Sequence, residues 1–221
     1  ASLAGKLKAS TERILDLLSL INEGSHTPCC FVSHCSPSGV RTAFGLGIPI
    51  ISSLDAPHAE AVARLTLPLS RWVVTPKAFA VDRFLVLGAS PSSLVQFDAI
   101  DEVAWIRRLV PNLQVLDDLS LSSDDLIVVF RPAETQASYL RGLTSHPVRE
   151  LPVLESILDV YPHAKIIAFP RYTEQRKVLS RKNGIIVPPV GVDAPSLMTQ
   201  ASLVISGGGT MIRESSLLGI P

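Results

Sequence analysis

The sequence predicts an α/β chain of two domains, each a mostly parallel sheet with helices against both faces. Three observations carry this. Short apolar runs alternate with stretches of helical periodicity from Cys29 to the last residue. The clearest run, Leu126-Ile127-Val128-Val129-Phe130, is continuously apolar, as a strand buried on both faces must be. An Asp- and Ser-rich stretch, Asp117 to Asp125, separates two such alternations and reads as a linker. The domains are therefore expected at residues 1–121 and 122–221.

The chain has 221 residues, 47% hydrophobic and 18% charged, enough for a large core and too apolar for disorder. Its formal net charge of zero gives no global pull towards nucleic acid, which is not expected as a partner. Seventeen prolines fit many short connections. Three cysteines, Cys29 and Cys30 adjacent and Cys35 nearby, make no disulfide framework and point to a reducing cytoplasm. Nothing reads as a signal peptide, and no uncharged apolar run reaches the ~18 residues of a membrane span. Peripheral membrane contact stays open. The chain begins directly on a helical pattern and stops at Gly219-Ile220-Pro221, where a next strand should begin. Both domains are thus expected to be truncated, the first without its opening strands.

In chain order, Leu7, Ile14, Leu15, Leu17, Leu18 and Ile21 give a helix over Leu7 to Ile21. Cys29 to Ser33 is expected as a short buried strand, and Ser33-His34-Cys35-Ser36-Pro37-Ser38-Gly39 as a loop of small residues. Val40 to Leu46 is a helix ended by Gly47, and Pro49 to Ser53 the next strand. This strand–loop–helix–strand unit is the building block of parallel sheets. Asp55-Ala56-Pro57-His58-Ala59-Glu60 follows that strand, and polar residues just past the carboxyl ends of strands are where open α/β sheets bind ligands. Glu60 to Leu69 reads as a helix in which Arg64 stands one turn beyond Glu60, so a plain salt bridge is one reading of Glu60. Arg71 to Pro76 and Arg83 to Gly88 are the next expected strands.

The second alternation is cleaner. Leu126 to Phe130 runs into Arg131-Pro132-Ala133-Glu134-Thr135. Leu151 to Val160 is a helix, Ala164 to Arg171 a strand with arginine at its tip, and Glu174 to Arg181 a helix. Gly184 to Pro189 is a strand, Asp193 to Gln200 a helix, and Leu203-Val204-Ile205 a strand entering Ser206-Gly207-Gly208-Gly209-Thr210. Such repetition defines a Rossmann-like domain. The triple glycine can take positive φ and let a ligand approach bare backbone. A helix starting near Thr210 would aim free N–H groups at the same place and attract a phosphate. Arg131 and Arg171 fall at carboxyl ends of strands beside it. Glu214 shares a helix face with Thr210 but misses the capping-box position, held by Arg213, so it has no local capping job and is a candidate ligand group. A glutamate in a first turn also suits the helix dipole. The first small-residue loop, with Arg41 and Gly47-Ile48-Pro49, echoes Ser206 through Arg213 to Gly219-Ile220-Pro221, as two similar nucleotide-fold domains in one chain would.

Other chemistries lack their residues. There is no Gly-x-x-x-x-Gly-Lys-Ser/Thr and no Gly-x-Gly-x-x-Gly, against a P-loop and a classical NAD site. No His/Cys set has zinc spacing, so no metal is expected. His34 and His58 are also readable as loop residues bonded to nearby backbone.

With these residues placed, the second half resembles the nucleotide-binding domain of GT-B glycosyltransferases and of UDP-N-acetylglucosamine 2-epimerase. The shared features are Leu203-Val204-Ile205, the Ser206 to Gly209 loop, helix-borne Glu214 and Gly219-Ile220-Pro221. The whole chain is similar to an uncharacterised, mostly archaeal family of unknown function within that superfamily. The phrases concerned are Ser33 to Ser38, Arg64-Leu65-Thr66-Leu67-Pro68, Ile100-Asp101-Glu102-Val103-Ala104-Trp105, Pro170-Arg171-Tyr172 and Gly207-Gly208-Gly209-Thr210. Full-length members have about another strand–helix pair on each side.

The resemblance implies a GT-B-like fold with the diphosphate on Ser206 to Thr210, ribose hydroxyls on Glu214, and the base near Val187 to Asp193. The ligand is then a nucleotide-diphosphate sugar, UDP-linked by the resemblance, used as substrate and not as cofactor. Where epimerases carry Gly-Asp in the first loop this chain has His34-Cys35, and Phe130 stands where they carry the histidine of His-Arg-Arg-Glu-Asn. Epimerisation needs paired acid and base groups, so these losses favour sugar transfer, which asks for one base and positive charge on the leaving diphosphate. Asp55, Glu60 and His34 are the candidate bases, and Arg131 and Arg171 the cations. The expected function is glycosyl transfer to an unknown acceptor, in glycoconjugate or cell-envelope synthesis. The alternatives are a related epimerase or hydrolase, and a non-catalytic nucleotide-binding fragment.

Overall fold

The computed structural model describes residues 2–24, 26, 28–55, 57–134 and 146–221. The chain divides into two compact units, residues 1–101 and 102–221.

The first unit opens with α1 (Leu3–Glu23), capped by the Ser2 side chain on the Gly5 N–H. Then follow β1 (Phe31–Ser33), α2 (Pro37–Gly45), β2 (Ile50–Ser53), α3 (Glu60–Thr66), β3 (Trp72–Pro76), α4 (Asp82–Leu85) and β4 (Leu94–Phe97). The strands form one sheet in the order β1-β2-β3-β4, every pair parallel. Ile50 and Val73 point into the core with Val40, Ala43, Ala63, Leu67 and Phe84 from the helical segments. The opposite face bears the row Val32, Ile51, Trp72 and the pair Val74–Val95. Val32, Trp72 and Val95 are 65%, 42% and 45% exposed, so helices do not cover both faces of this sheet as expected.

The strand expected at Arg83 to Gly88 is instead α4 and its turn. Phe84 and Leu87 are both buried, a spacing of three, and a helical turn puts both on one side. Gly88, at φ 100°, passes so close to Pro68 that a Cβ there would lie 2.6 Å from its ring. The fourth strand forms later, at Leu94–Phe97, where the sequence pattern is too short to announce it.

The second unit contains α5 (Val103–Ile106), α6 (Gln114–Asp118), β5 (Ile127–Arg131), α7 (Leu151–Val160), β6 (Lys165–Ala168), α8 (Thr173–Leu179), β7 (Ile185–Ile186), α9 (Ala194–Met198), β8 (Leu203–Ser206) and α10 (Thr210–Leu218). Its sheet runs β7-β6-β5-β8, all parallel. Every residue from Ile127 to Phe130 is buried, and alternate ones serve two cores. Ile127 and Val129 pack with Leu197, Met198 and Met211, while Val128 and Phe130 pack with Leu154 and Leu179. This sheet is covered on both faces, which explains the unbroken apolar run in β5.

Residues 102–121, expected with the first domain, fold with the second. Val115, Leu116 and Leu121 join the core of β5 and α9, the Asn112 N–H donates to Ser196 Oγ at 2.9 Å, and buried Glu102 pairs with Arg213 Nε at 2.7 Å. Apolar burial worth roughly 1.5–3 kcal/mol per side chain outweighs the polar look of the segment.

Candidate functional site

In the second unit the chain winds outward from β5 through β6 to β7, then returns to place β8 on the other side of β5. The loops after β5 and β8 therefore leave the sheet side by side in opposite directions, the switch point at which open α/β sheets hold ligands. Arg131 and Ser206 are register partners at that edge. The Gly207 N–H donates to the Arg131 carbonyl at 3.1 Å, and a Cβ on Gly207 would sit 2.3 Å from the Ala133 Cα. Only a glycine lets the two loops touch.

Gly208 and Gly209 follow with φ 103° and 86°, and a Cβ on either would meet nothing within 4 Å. Residues 207–210 are exposed. The first turn of α10 receives no side-chain cap from Gly209, and its N–H groups and dipole face the loop. Ser206 Oγ donates to the Gly208 carbonyl at 3.2 Å and braces the turn.

Two guanidinium groups stand at this edge. Arg131 is half-buried, with Nη1 3.8 Å from Met211 Sδ. Burial, then the charge of Arg171, push it below the usual arginine range, while Glu134 and Glu214 act in the opposite sense. Arg171 lies 3.2 Å from Glu134. The Tyr172 hydroxyl donates to the same carboxylate, and burial together with that bond pushes the phenol up to about 12. A cleft of about 290 Å³ continues from Arg131 along Phe169, Pro170, Arg176 and Pro188 to Gly191. Arg176 Nη1 holds the Pro188 carbonyl at 3.0 Å, which fixes that wall.

Glu214 is only 7% exposed, and its Oε1 accepts from the Trp105 indole N–H at 2.8 Å. It does have a structural partner, one that sequence reasoning missed. The signal was the Ile100 to Trp105 phrase, legible as a motif but not as a contact.

The first unit gathers a second group. His34 Nδ1 is 2.8 Å from Ser53 Oγ, and His34 Nε2 is 3.0 Å from Asp55 Oδ1. The carboxylate of Asp101 joins them, the three ligating atoms of His34, Asp55 and Asp101 all lying within 4.8 Å of one another. Cys35 directs this loop: it has φ 47°, an uncommon left-handed conformation for a non-glycine residue, with its side chain buried in the core. Burial pushes its thiol up, and the Asp55 charge adds to this against hydrogen bonds from Thr66 and Ser52. Of the expected bases, His34 and Asp55 are brought together. Glu60 is not in this group: it starts α3 with 68% of its side chain exposed and pairs with Arg64 at 4.0 Å. Ser53 and Asp101 were not foreseen. Ala56 and Thr135, named in the phrases above, lie outside the described residues.

The match to known sequences covers the chain from end to end: residues 1–221 fit the family described as Protein of unknown function (DUF354). The chain belongs to the DUF354 family. The uncharacterized protein MJ0665 of Methanocaldococcus jannaschii is 32% identical over 225 residues, which include all of this chain and 63% of that protein. Among solved structures, UDP-N-acetylglucosamine 2-epimerase from Rickettsia bellii superposes with a TM-score of 0.69 at 17% identity, over 97% of this chain and 60% of that one. UDP-GlcNAc 2-epimerase from M. jannaschii gives 0.60 at 15% identity, over 96% and 64%. Anabaena Alr3699/HepE in complex with UDP-glucose gives 0.57 at 16%, over 94% and 61%. This DUF354 chain thus has the GT-B-like, Rossmann-type fold of these neighbours and spans somewhat under two thirds of their length. Among the described residues no helix is long and apolar enough to cross a membrane.

Proposed function

We propose that the protein binds a nucleotide-diphosphate sugar at the carboxyl edge of the second sheet and transfers its sugar. One observation carries this reading: Arg131 and Ser206 are paired at the switch point between β5 and β8, where a glycine loop with an uncapped helix start lies open to solvent. Backbone N–H groups of residues 208–210 suit the diphosphate, and Arg131 and Arg171 suit the charge that develops as it leaves. Glu214, steadied by Trp105, takes a ribose hydroxyl. The cleft wall from Pro188 to Gly191 takes the base. The UDP-glucose of the Anabaena neighbour supports a UDP-linked donor.

On the first unit, His34 and Asp55, with Ser53 holding the ring, form a group that can accept a proton from a hydroxyl. A second reading, epimerisation, needs proton-transfer groups on both faces of the carbon, of which this pair supplies one. The reaction would run in the cytoplasm, where donor sugars are made, and serve glycoconjugate or envelope synthesis.

The test is a calorimetric titration of UDP, GDP, CDP and ADP into a full-length protein, followed by product analysis with the sugar form of whichever binds. Saturable binding of one nucleotide, weakened by Arg131→Ala, is the expected result. Absence of binding by all four sinks the proposal. Release of free nucleoside diphosphate with a sugar-modified acceptor marks transfer, and an isomerised nucleotide sugar marks epimerisation.

A further inference from the structure

We propose that His34, Asp55 and Asp101 form a binding site for one divalent transition-metal cation. The three side chains come from the segments after β1, β2 and β4; pairing of β1 with β2 brings His34 and Asp55 together, and the chain after β4, two strands from β2, brings Asp101 to them. One imidazole nitrogen and two carboxylate oxygens lie within 4.8 Å of one another there. Metal–ligand bonds of about 2.0–2.2 Å hold neighbouring donor atoms roughly 3–3.5 Å apart. His34 Nε2 and Asp55 Oδ1, at 3.0 Å, already have that separation. Asp101 needs to close by little more than an ångström, on the order of one side-chain adjustment.

The far side of the histidine is prepared as well. Ser53 Oγ holds His34 Nδ1 at 2.8 Å. A metal-bound histidine commonly has its second nitrogen held in this way, and the Ser53 hydroxyl can accept from Nδ1–H when Nε2 turns its lone pair to an ion. Without a cation, the Nε2–Asp55 contact joins two electron-pair donors and must hold a proton; a cation takes that proton's place. Two carboxylates drawn close also repel unless positive charge stands between them.

The side chain of Asp55 is 14% exposed and that of His34 55%, so the site has a protein floor and a solvent side. Coordination positions on the solvent side remain for water or a substrate oxygen. The mixed nitrogen and oxygen donors suit Mn²⁺, Co²⁺ or Zn²⁺ better than Mg²⁺ or Ca²⁺, which prefer oxygen alone. With the ion bound, His34 is a ligand, and the proton-accepting role passes to the ion-bound water. The inference rests on this one cluster and stands whether or not the second unit binds a nucleotide.

The experiment is a titration of the chelator-treated full chain with Co²⁺, read by its visible absorption, and with Mn²⁺, read by loss of the free-ion electron paramagnetic resonance signal. One saturable site per chain is expected. Asp101→Asn and His34→Gln should each weaken it at least tenfold, and Ser53→Ala about tenfold, the lower end for loss of an outer-shell partner. Glu60→Gln, an exposed carboxylate outside the cluster, should leave it unchanged. Circular dichroism reports whether each variant is folded. Should Asp101→Asn not fold, His34→Gln at the exposed histidine reads the same site. Absence of a saturable site for Co²⁺ and Mn²⁺, or a site of wild-type affinity in the folded variants, overturns the proposal.

Discussion

Replacing Gly208 by alanine separates a ligand role for the glycine loop from a purely structural one. Gly208 sits at φ 103°, where an added Cβ meets no atom within 4 Å. The cost to folding is therefore conformational strain alone, about 1–3 kcal/mol for a non-glycine residue in a sparsely populated region. At about 2–4 °C per kcal/mol, the melting transition should fall by roughly 2–12 °C. Gly207→Ala is the comparison. Its Cβ would stand 2.3 Å from the Ala133 Cα, so the β5 and β8 loops must part and the stability loss has a steric origin. In Gly208→Ala the new methyl group enters open space on the exposed loop that leads into the helix start. If the diphosphate rests there, UDP affinity measured by calorimetry on the folded variant should drop at least tenfold, about 1.4 kcal/mol or more. Gly208→Val should be more severe. Wild-type UDP affinity in folded Gly208→Ala would refute the placement, because a diphosphate held on the backbone N–H groups of this loop needs the bare backbone and positive φ that glycine gives at Gly208.

The other predictions address single side chains. Glu214→Ala should weaken UDP binding by ~1.5–3 kcal/mol, roughly tenfold to over a hundredfold, and a deoxyribose analogue should then lose little more; equal affinities for wild type and variant would leave Glu214 as a partner of Trp105 alone. Asp55→Asn should cut turnover with little change in nucleotide affinity, whereas Glu60→Gln should leave turnover intact and cost less than ~0.5 kcal/mol in stability, as an exposed i,i+4 pair does; the reverse outcome would return the base to α3. Tyr172, raised to about 12, binds its proton more tightly when folded. Its contribution to stability is complete below pH ~10, the unfolded value, and is lost as pH rises towards 12. The ultraviolet difference titration of wild type minus Tyr172→Phe should place its midpoint near 12, and a midpoint near 10 would mean that neither the burial nor the Glu134 bond holds the phenol.

What the sequence determines by itself here is what local pattern and backbone chemistry encode. Continuous Ile127 to Phe130 had to be a strand covered on both faces, because no amphipathic period is present for a solvated side. The run from Leu203 through Gly207-Gly208-Gly209 to Glu214 had to be strand, turn and helix, because glycines that allow positive φ interrupt two incompatible periodicities. The strand–helix alternation places Arg131, Arg171 and Ser206 at carboxyl ends of strands wherever the strands finally lie. The sheet order is not local. That β8 returns beside β5, making the Arg131–Ser206 edge a switch point, is decided by which apolar faces bury each other. The same competition draws Val115 and Leu116 into the second core and moves the boundary back to Asp101. It also leaves Trp72 and Val95 on a face that the alternation alone would have covered. Trp105 and Glu214 are 109 positions apart, and their bond exists only because α5 packs on α10. Asp55, Glu60 and His34 looked alike as candidate bases in the sequence, being polar residues in or just after strand-end loops. Only the parallel register of β1 with β2, and the position of β4, bring His34, Ser53, Asp55 and Asp101 together, while one turn of α3 turns Glu60 towards Arg64 and water.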